Sequence, residues 1–532
     1  MSDFKTLSLN GVEYNVKDET ARTQINEIST RTALSSLTVP TVEDMKEFDS
    51  LQNGDIIKTL GYYSINDGGG AFYHITDTAT PNEYNIITLS NGLFATLIIE
   101  NKIANVKQFG AKGDGVNDDY GAIQKAIDTS DKIYIPSGTY IVTDSLSFEN
   151  KTIKGSNYTH VTIKGVISDS AKPIIACGGA TNLEDITVAY DKSVVTSNMS
   201  KGSKVGIQLH GGWRDLQMQQ GSIRNCQASY CGTGITDGGR SIFSCTFDTI
   251  KINNFGRWGM SMYSEARTGN VYSNIYINNH GFISAGNPDT VNCNQGFNLE
   301  GEESECTISQ LNVEHLTAYQ PIILRGVKAL YASSIHLEGV RPIGTYQPLV
   351  LIDKCSGRIE TISFYFTRHK TGTSLIGFGS IADTSTVDDI FSQDTAFEIG
   401  TLYCKGLNRP DRNTYGYEPE YPVDSSTLNN CATYFINRNS ASDRMKVKLD
   451  QFHYQTYTYG YDDTEKYENF ACNPHSSIKF LKLGQHFING TTAQRPTKRL
   501  YGGLQFYDET IKKLIVYNSN DSKWYDSNGN AV

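Results

Sequence analysis

The chain has 532 residues, of which 47 are Lys or Arg and 57 are Asp or Glu, so its net charge is −10. This acidic balance argues against a nucleic-acid-binding protein, because such proteins present a basic surface. With 38% hydrophobic and 11% aromatic residues, the chain can bury a core and is not a disordered protein. No apolar run approaches the ~20 residues that a membrane helix needs, so no membrane partner is expected.

The start of the chain and its cysteines indicate where the protein is made. Residues 1–5 lack the apolar core of a secretion signal, so we expect synthesis in the cytoplasm. The ten cysteines form no CxxC pair and no zinc-like spacing with His, which favours buried thiols. No Asp cluster has calcium-ligand spacing, and neither a metal nor another cofactor is expected.

Two small segments come first in the chain. Residues 1–40 begin with an alternating stretch around Asn10-Gly11, which predicts a hairpin followed by a short polar helix. This segment is too short to bury its own core and should pack against another chain or a partner. Residues 41–103 are predicted to form a small β domain at the head or neck. Its glycines after Asp67 precede a strand and no Lys-Ser/Thr pair, which argues against a phosphate-binding loop.

Residues 104–407 consist of short strand patterns that repeat. One apolar strand position recurs at steps of 25, 36, 24 and 29 residues, and the step of 36 holds one repeat and an insertion. Its members are Ile252, Ile277, Val313, Leu337 and Phe366. Gly234 and Gly259 are also separated by 25 residues. A period of this size without helical patterns predicts a mainly β protein built as a solenoid of stacked coils.

The entrance to this repeat carries the motif Asn105-Val106-Lys107-Gln108-Phe109-Gly110-Ala111-Lys112-Gly113-Asp114-Gly115, followed by a helix pattern. It resembles the opening of the pectate-lyase-like superfamily of right-handed parallel β-helices, in the version found in phage tailspikes and capsule depolymerases. In that family the motif caps the first coil. Asp114, Asp118 and Asp119 are therefore expected to be turn and helix-cap residues and not catalysts.

Both ends of the chain carry further resemblances. Tyr14-Asn15-Val16-Lys17-Asp18-Glu19 is similar to the N-terminal anchor of tail proteins in phages of Gram-positive bacteria. Residues 490–496 and 506–510, with Lys513 and Trp524, resemble a small β module at the C-terminus of phage tail fibres. The resemblance implies a homotrimeric virion protein that mounts on the phage tail or baseplate through its N-terminus. Its β-helix would bind, and usually cleave, a host cell-surface polysaccharide.

Outward side chains of the repeated strand are the first candidates for chemistry. They form one column of Asn253, Asn278, Glu314, Glu338 and Thr367, and a second of Lys251, Tyr276, Asn312, His336 and Tyr365. Because adjacent coils lie ~4.8 Å apart, the carboxylates of Glu314 and Glu338 should be about 5 Å apart, close to the spacing in retaining glycosidases. We predict these two as catalytic, with Tyr276, Asn312 and His336 binding substrate.

A second group lies on and around the other repeated strand. Glu300 and Asp289 are alternative catalytic candidates, and Asp289 lies in the insertion that could wall a groove. Tyr263, Trp258 and Arg325 are predicted substrate-binding residues, because aromatic rings stack on sugar faces and an outward cation binds polar substituents.

Three functions remain open at this point. Glycosidic hydrolysis is favoured by the stacked carboxylates, while a polysaccharide lyase would act by β-elimination with a base such as Lys, Arg, His or Tyr. A receptor-binding adhesin would bind the glycan without cleaving it. After the repeat, residues 408–485 are predicted to be a Tyr-rich trimerisation or carbohydrate-binding domain, and residues 486–532 the small C-terminal module.

Overall fold

The computed structural model describes residues 6–9, 12–15, 37–195, 202–211, 216–264, 266–279, 293, 295–342, 348–365, 374–378, 396–405, 434–438, 446–455, 488–495 and 505–532. The chain divides into two compact units. One comprises Met1–Ser168 with Thr181–Val188, and the other Asp169–Ala180 with Ala189–Val532.

The first unit begins with the predicted hairpin. Strands β1 (Thr6–Leu9) and β2 (Val12–Asn15) pair antiparallel, with Leu7 opposite Tyr14. The polar helix predicted after them lies outside the described residues.

A small domain follows, as an antiparallel-rich sheet with one short helix. Its elements are β3 (Thr38–Val39), α1 (Val42–Lys46), β4 (Ile56–Thr59), β5 (Phe72–Thr76), β6 (Ile86–Thr88) and β7 (Phe94–Leu97), in the sheet order β3-β4-β5-β7-β6. Side chains alternate between buried and exposed, as expected for strands with one covered face. The Asp67 carboxylate accepts backbone N–H groups from Tyr62, Tyr63, Ser64 and Gly69. The glycine-rich segment is therefore a turn held by backbone hydrogen bonds to Asp67.

A second series of strands begins at residue 103, and most of its pairs are parallel. Up to residue 217 they are β8 (Ile103–Asn105), β9 (Asp114–Asp118), β10 (Lys132–Ile135), β11 (Gly138–Val142), β12 (Leu146–Glu149), β13 (Thr152–Gly155), β14 (Val161–Gly165), β15 (Ile175–Gly178), β16 (Asn182–Glu184), β17 (Thr187–Ala189), β18 (Val205–Gln208), β19 (His210–Gly211) and β20 (Leu216–Gln217). In the first unit β8, β10, β13 and β16 pair in that order, all parallel. Helix α2 (Tyr120–Thr129) buries Ala122, Ile123, Ala126 and Ile127, as its sequence pattern predicts. Short 3-10 helices span Glu100–Lys102, Val106–Phe109, Lys192–Val194 and Thr492–Gln494.

The aspartates of the entrance motif have the structural roles expected of them. The Asp114 carboxylate accepts N–H groups from Val116 and Asn117, which closes an Asx turn. Asp118 accepts the N–H of Tyr120 at the helix start. Asp119 is buried and accepts the N–H groups of Lys112 and Gly113.

In the second unit the strands from residue 222 onward are β21 (Ser222–Ser229), β22 (Thr233–Thr236), β23 (Ile242–Phe243), β24 (Thr246–Asn253), β25 (Trp258–Met262), β26 (Ala266–Thr268), β27 (Val271–Asn278), β28 (Gln295–Ser304), β29 (Thr307–Glu314), β30 (Thr317–Ala318), β31 (Ile322–Lys328), β32 (Leu330–Glu338), β33 (Arg341–Pro342), β34 (Val350–Asp353), β35 (Ser356–Tyr365), β36 (Ser374–Phe378), β37 (Ala396–Lys405), β38 (Tyr434–Arg438) and β39 (Lys446–Gln455). Two long parallel sheets dominate. Sheet 1 runs β21-β24-β27-β29-β32-β35-β37-β39, and sheet 2 runs β15-β18-β22-β25-β28-β31-β34-β36-β38. The strands of these two series alternate along the chain, and the predicted parallel β-helix is confirmed.

The predicted register of sheet 1 holds over most of its length. Ile252 pairs with Ile277, Ile277 with Val313 and Val313 with Leu337, and all four are fully buried. The next step is wrong: Leu337 pairs with Phe364 and not with Phe366. The position beside Glu338 in the outer column therefore belongs to Tyr365 and not to Thr367. A slip of two residues keeps the face but changes the neighbour.

The recurring glycines mark a close approach of backbones in sheet 2. A Cβ at Gly259 would lie 2.3 Å from the carbonyl oxygen of Gly296, and a Cβ at Gly234 would lie 2.6 Å from Cγ2 of Ile252. Side chains do not fit at these positions, so the periodic glycines are a packing requirement of the coil.

The parallel pairing continues beyond residue 407, where the sequence pattern predicted that it ends. β36 pairs with β38, and β37 pairs with β39 over nine residue partners from Ala396 to Lys405. The aromatic alternation around Phe452 is thus the next rung of sheet 1. The repeat pattern is hard to recognise in the sequence at this point, because a Pro- and Tyr-rich stretch interrupts it before residue 434.

The C-terminal module is a small sheet with its own core. Strands β40 (Ile488–Gly490), β41 (Gln505–Asp508), β42 (Lys513–Asn518) and β43 (Lys523–Asp526) pair in that order. Phe506, Ile515, Tyr517 and Trp524 form its buried cluster. The buried Asp508 carboxylate accepts the Arg495 guanidinium at 2.6 Å. Burial alone would raise the pKa of Asp508, but Arg495, Thr492 and backbone N–H groups lower it overall.

Candidate active site

Sheet 1 presents two adjacent columns of polar side chains on its outward face. One column contains Asn278, Glu314, Glu338 and Tyr365, and the other contains Tyr276, Asn312, His336 and Ser363. Residues between them in sequence, such as Ile277 and Leu337, point into the core and are fully buried. The alternation of each strand therefore fixes which side chains face outward. We call this set the polar ladder.

Glu314 and Glu338 are direct partners on β29 and β32, one coil apart, as the register predicts. One oxygen of each carboxylate and a ring nitrogen of His336 all lie within 4.8 Å of one another. The expected proximity of the two carboxylates is thus confirmed. Their catalytic roles stay a prediction.

Tyr276 links Glu314 to the neighbouring coil. Its hydroxyl donates to Oε2 of Glu314 at 2.9 Å and accepts from Nδ2 of Asn278 at 2.9 Å. Burial raises the pKa of Tyr276 to about 12, and the Glu314 carboxylate adds to the rise. The phenol therefore keeps its proton at neutral pH and acts as a donor to Glu314.

His336 lies on the other side of the pair. Its Nε2 is 3.4 Å from Oε2 of Glu338, and its Nδ1 is 2.8 Å from Oγ of Ser363. The ring packs 5.0 Å from that of Tyr365, which in turn stacks 5.4 Å from Tyr403. Sequence reasoning missed Ser363 and Tyr403. The alignment of Phe364 with Leu337 would have found Ser363, and Tyr403 needs the register of the next coil as well.

Asn312 occupies the rung between Tyr276 and His336, as predicted. It is half-buried on the outward face of β29. The ladder thus gathers five of the predicted site residues on three neighbouring strands.

The remaining candidates lie on or beside sheet 2. Glu300 pairs with Arg325 in the register, and Oε1 of Glu300 accepts a hydrogen bond from Nη1 of Arg325. Nε of Arg325 also donates to Oδ2 of Asp353 at 3.1 Å. Arg325 is thus already paired with two carboxylates of its own sheet. This arrangement favours a structural role for Glu300 and Arg325 over proton donation or substrate binding.

The burial of Trp258 argues against the predicted stacking of its ring on a sugar. The residue is only 5% exposed, and the guanidinium of Arg257 lies 4.7 Å from its ring centroid. Tyr263 is half-buried, and its backbone N–H donates to the Asp237 carboxylate. Asp289 lies outside the described residues.

The ladder also contains a donor set that no sequence spacing revealed. Glu314, His336 and Glu338 come from separate positions on two strands, and their ligand atoms are close enough to share one metal ion. Carboxylate oxygens and imidazole nitrogen suit several divalent cations. Chemically, the arrangement can serve as a carboxylate pair with a neighbouring imidazole or as a cation site.

The two long sheets define a parallel β-helix whose outward face carries the polar ladder. Residues 103–318 match the family described as rhamnogalacturonase A/epimerase, pectate lyase-like. This match confirms the resemblance of the repeat to that family over the matched residues.

The chain is also similar to three individual proteins. The pre-neck appendage protein of Bacillus phage phi29 is 36% identical over 151 residues, which is 26% of this chain and 17% of that protein. Alginate lyase 7 of Azotobacter vinelandii is 58% identical over 43 residues, 7% of this chain and 5% of the enzyme. The enzymatically active domain of tailspike protein 2 of bacteriophage CBA120 has a TM-score of 0.49 at 13% identity, covering 81% of this chain and 60% of that one. The chain thus spans about a sixth of the length of the phage appendage protein and a smaller share of the alginate lyase.

Within the described part of the chain, no helix is both long enough and apolar enough to cross a membrane.

Proposed function

We propose that this protein is a phage tail spike that binds a host surface polysaccharide and cleaves it by glycosidic hydrolysis. The observation that carries the proposal is the pair Glu314 and Glu338, stacked on the outward face of sheet 1 with carboxylate oxygens within 4.8 Å. In retaining glycosidases the two carboxyl groups are about 5–5.5 Å apart, whereas inverting enzymes need about 6.5–9.5 Å. The close pair therefore favours a retaining reaction.

The ladder around the pair supports binding of a sugar chain. Asn278, Asn312 and Ser363 supply amide and hydroxyl groups, and Tyr365 adds an aromatic ring beside the acids. Saccharide hydroxyls need this mixture of donors and acceptors, with apolar contacts for the ring carbons. Because the rungs repeat along the sheet, an extended glycan could contact several coils at once.

A virion location and attachment through the N-terminal segment are part of the proposal. Similarity to a phage appendage protein supports them, as does the confirmed hairpin at residues 6–15, which is too small to be stable alone. The partners would be phage tail or baseplate proteins at one end and host polysaccharide along the β-helix.

We expect the protein to be a homotrimer. Sedimentation equilibrium of the full chain at micromolar concentration should give three times the chain mass of 58.9 kDa. A monomer under those conditions would contradict the expectation.

The proposed activity is tested with glycans extracted from the surface of a Gram-positive host, namely capsule, teichoic acid and exopolysaccharide. After incubation with the full chain, mass spectrometry should show shortened chains whose fragments each carry one added water. Heat-unfolded protein serves as the control. Products lacking that water, with an unsaturated chromophore, would contradict hydrolysis and indicate β-elimination.

Elimination is the second candidate, and two observations favour it. One similar protein is named an alginate lyase, and Glu314, His336 and Glu338 could hold a cation that neutralises a uronate. A lyase of this kind would lose activity in chelator and regain it with a divalent ion, whereas the proposed hydrolase should not respond. Binding without any shortening would instead identify an adhesin.

A further inference from the structure

We propose that the outward face of the five-stranded sheet β3-β4-β5-β7-β6 joins three copies of this chain in a closed ring. The inference rests on the homotrimer expected above and names the surface through which the copies meet in this small domain. It follows from the side chains on that face and from the separation of its two charges.

The register of the sheet shows which side chains share the outward face. Residues directly opposite each other on paired strands point to the same side of a sheet. Apart from threonines, the pairs place six side chains on this side: Ile56, Lys58, Phe72, His74, Ile86 and Phe94. We call this set the outer sheet face. The residues that alternate with it on β4 and β5 are fully buried, namely Ile57, Tyr73 and Ile75.

Two apolar pairs lie on the outer sheet face, one on each half of the sheet. Ile56 and Phe72 are diagonal neighbours on β4 and β5 and are 40% and 36% exposed. Ile86 and Phe94 are diagonal neighbours on β6 and β7 and are half-buried. A solvated sheet face is normally polar, and clustered apolar side chains on a surface mark a contact with another protein. The outer sheet face thus has the composition of an interface.

Each half also carries one charge, and the two charges have opposite sign. Nζ of Lys58 on β4 lies 5.3 Å from the ring centroid of Phe72. On the other half, the Glu83 carboxylate accepts a hydrogen bond from Oγ1 of Thr88 on β6 at 2.8 Å. Because β5 and β7 separate β4 from β6, these strands lie about 14 Å apart, at the usual strand spacing. Lys58 and Glu83 therefore do not pair within one chain.

These features fit a contact between unlike halves of neighbouring copies. The β4–β5 half of one copy packs against the β6–β7 half of the next, which buries both apolar pairs and brings a lysine near a carboxylate. Contacts between unlike surfaces close into a ring when the rotation between copies returns to its start. In a trimer such a ring gives every chain the same two contacts, whereas a face-to-face pair leaves one chain without a partner.

A disulfide across the contact tests the inference in the full chain. After oxidation, Lys58→Cys/Glu83→Cys should run on a denaturing gel as a covalent trimer, at three times the chain mass of 58.9 kDa. A disulfide needs Cα atoms about 4.4–6.8 Å apart, so the two positions are too distant for a bond within one chain. Each single variant should remain without a crosslink. The matched control is Lys58→Cys/Glu47→Cys, whose second thiol lies at an exposed position beside α1, and wild type gives the background from native cysteines.

Three results of this experiment would overturn the inference. Absence of a covalent trimer would mean that the outer sheet face has another occupant, such as a tail protein or another segment of the chain. A covalent dimer would indicate a face-to-face pair, and species larger than a trimer would indicate an open row of copies. A wild-type chain that sediments as a monomer would overturn the expected homotrimer as well. Glycan cleavage by the wild type is measured independently of both.

Hydroxyl-radical labelling of the wild-type chain provides a second readout that needs no substitution. Phe72 and Tyr63 are 36% and 54% exposed in a single chain, and Tyr63 lies outside the outer sheet face. In the ring, mass spectrometry should show Phe72 labelled several-fold more slowly than this ratio predicts. Labelling in proportion to the two exposed fractions would show that the face is open to solvent. That result would overturn the inference even if the cysteine variants failed to fold.

Discussion

Glu314→Gln and Glu338→Gln are each expected to lower the rate of glycan cleavage at least ~10²-fold, since a general acid–base group typically contributes 10²–10⁴. Glutamine keeps the size and hydrogen-bonding capacity of the side chain but can neither attack the anomeric carbon nor donate a carboxyl proton. Initial rates at saturating glycan, measured by the appearance of reducing ends, would give kcat for each variant.

Two matched variants make this result specific. Glu305→Gln changes an exposed glutamate in the turn between β28 and β29 and should keep full activity. Glu300→Gln should keep most of it, because Glu300 is engaged with Arg325 on sheet 2. If Glu300→Gln abolished cleavage while both ladder variants remained active, the catalytic site would lie on sheet 2.

Arg267→Met is expected to cost the second unit about 3–5 kcal/mol of folding free energy, the usual effect of removing one partner of a buried ion pair. Arg267 is 1% exposed, and its Nη1 lies 3.5 Å from Oδ2 of the fully buried Asp237. The same nitrogen donates to the backbone carbonyls of Ser264 and Glu300 at 3.1 and 2.9 Å. One guanidinium thus joins segments from neighbouring coils.

The loss should be large because Asp237 would stay buried without its cation. Its carboxylate also accepts N–H groups from Gly239, Tyr263 and Ser264, and these bonds alone do not balance the charge. Thermal unfolding of the full-length Arg267→Met variant should show a midpoint several degrees below that of the wild type. Arg224→Met, at an exposed position on β21, is the control. Equal midpoints for the two variants would mean that the buried pair contributes little.

The first prediction concerns the candidate catalytic residues, and the second concerns a side-chain contact that stabilises the coils. The coil repeat brings Glu314 and Glu338 together through backbone pairing, while side-chain clamps such as Arg267 hold the bends that keep successive coils in register. The site therefore depends on the spacing between coils, and a change far from the ladder could alter activity through that spacing.

The repeat itself could be predicted from the sequence because β coils impose a period on apolar residues. Ile252, Ile277, Val313 and Leu337 recur at the spacing of one coil or of one coil with an insertion, and they pair as predicted. Since side chains alternate along a strand, the same register places Glu314 beside Glu338 on the outward face. Backbone geometry alone therefore placed the two candidate carboxylates on neighbouring coils.

Only the tertiary structure decided what surrounds that pair. The turn after Leu337 has a length that no local pattern reveals, so the sequence placed Thr367 where Tyr365 lies and missed Ser363. Burial of Trp258 under Arg257 depends on how the corner of the coil packs. The strand register already places Glu300 beside Arg325, but the second partner of Arg325, Asp353, is seen only in the structure. Likewise, the hydrogen bond from Tyr276 to Glu314 depends on side-chain rotamers set by contacts across coils. The side-chain contacts of Glu300 with Arg325 and of Tyr276 with Glu314 join residues 25 and 38 positions apart. Periodicity specifies the strand of each residue but not the direction in which its side chain turns.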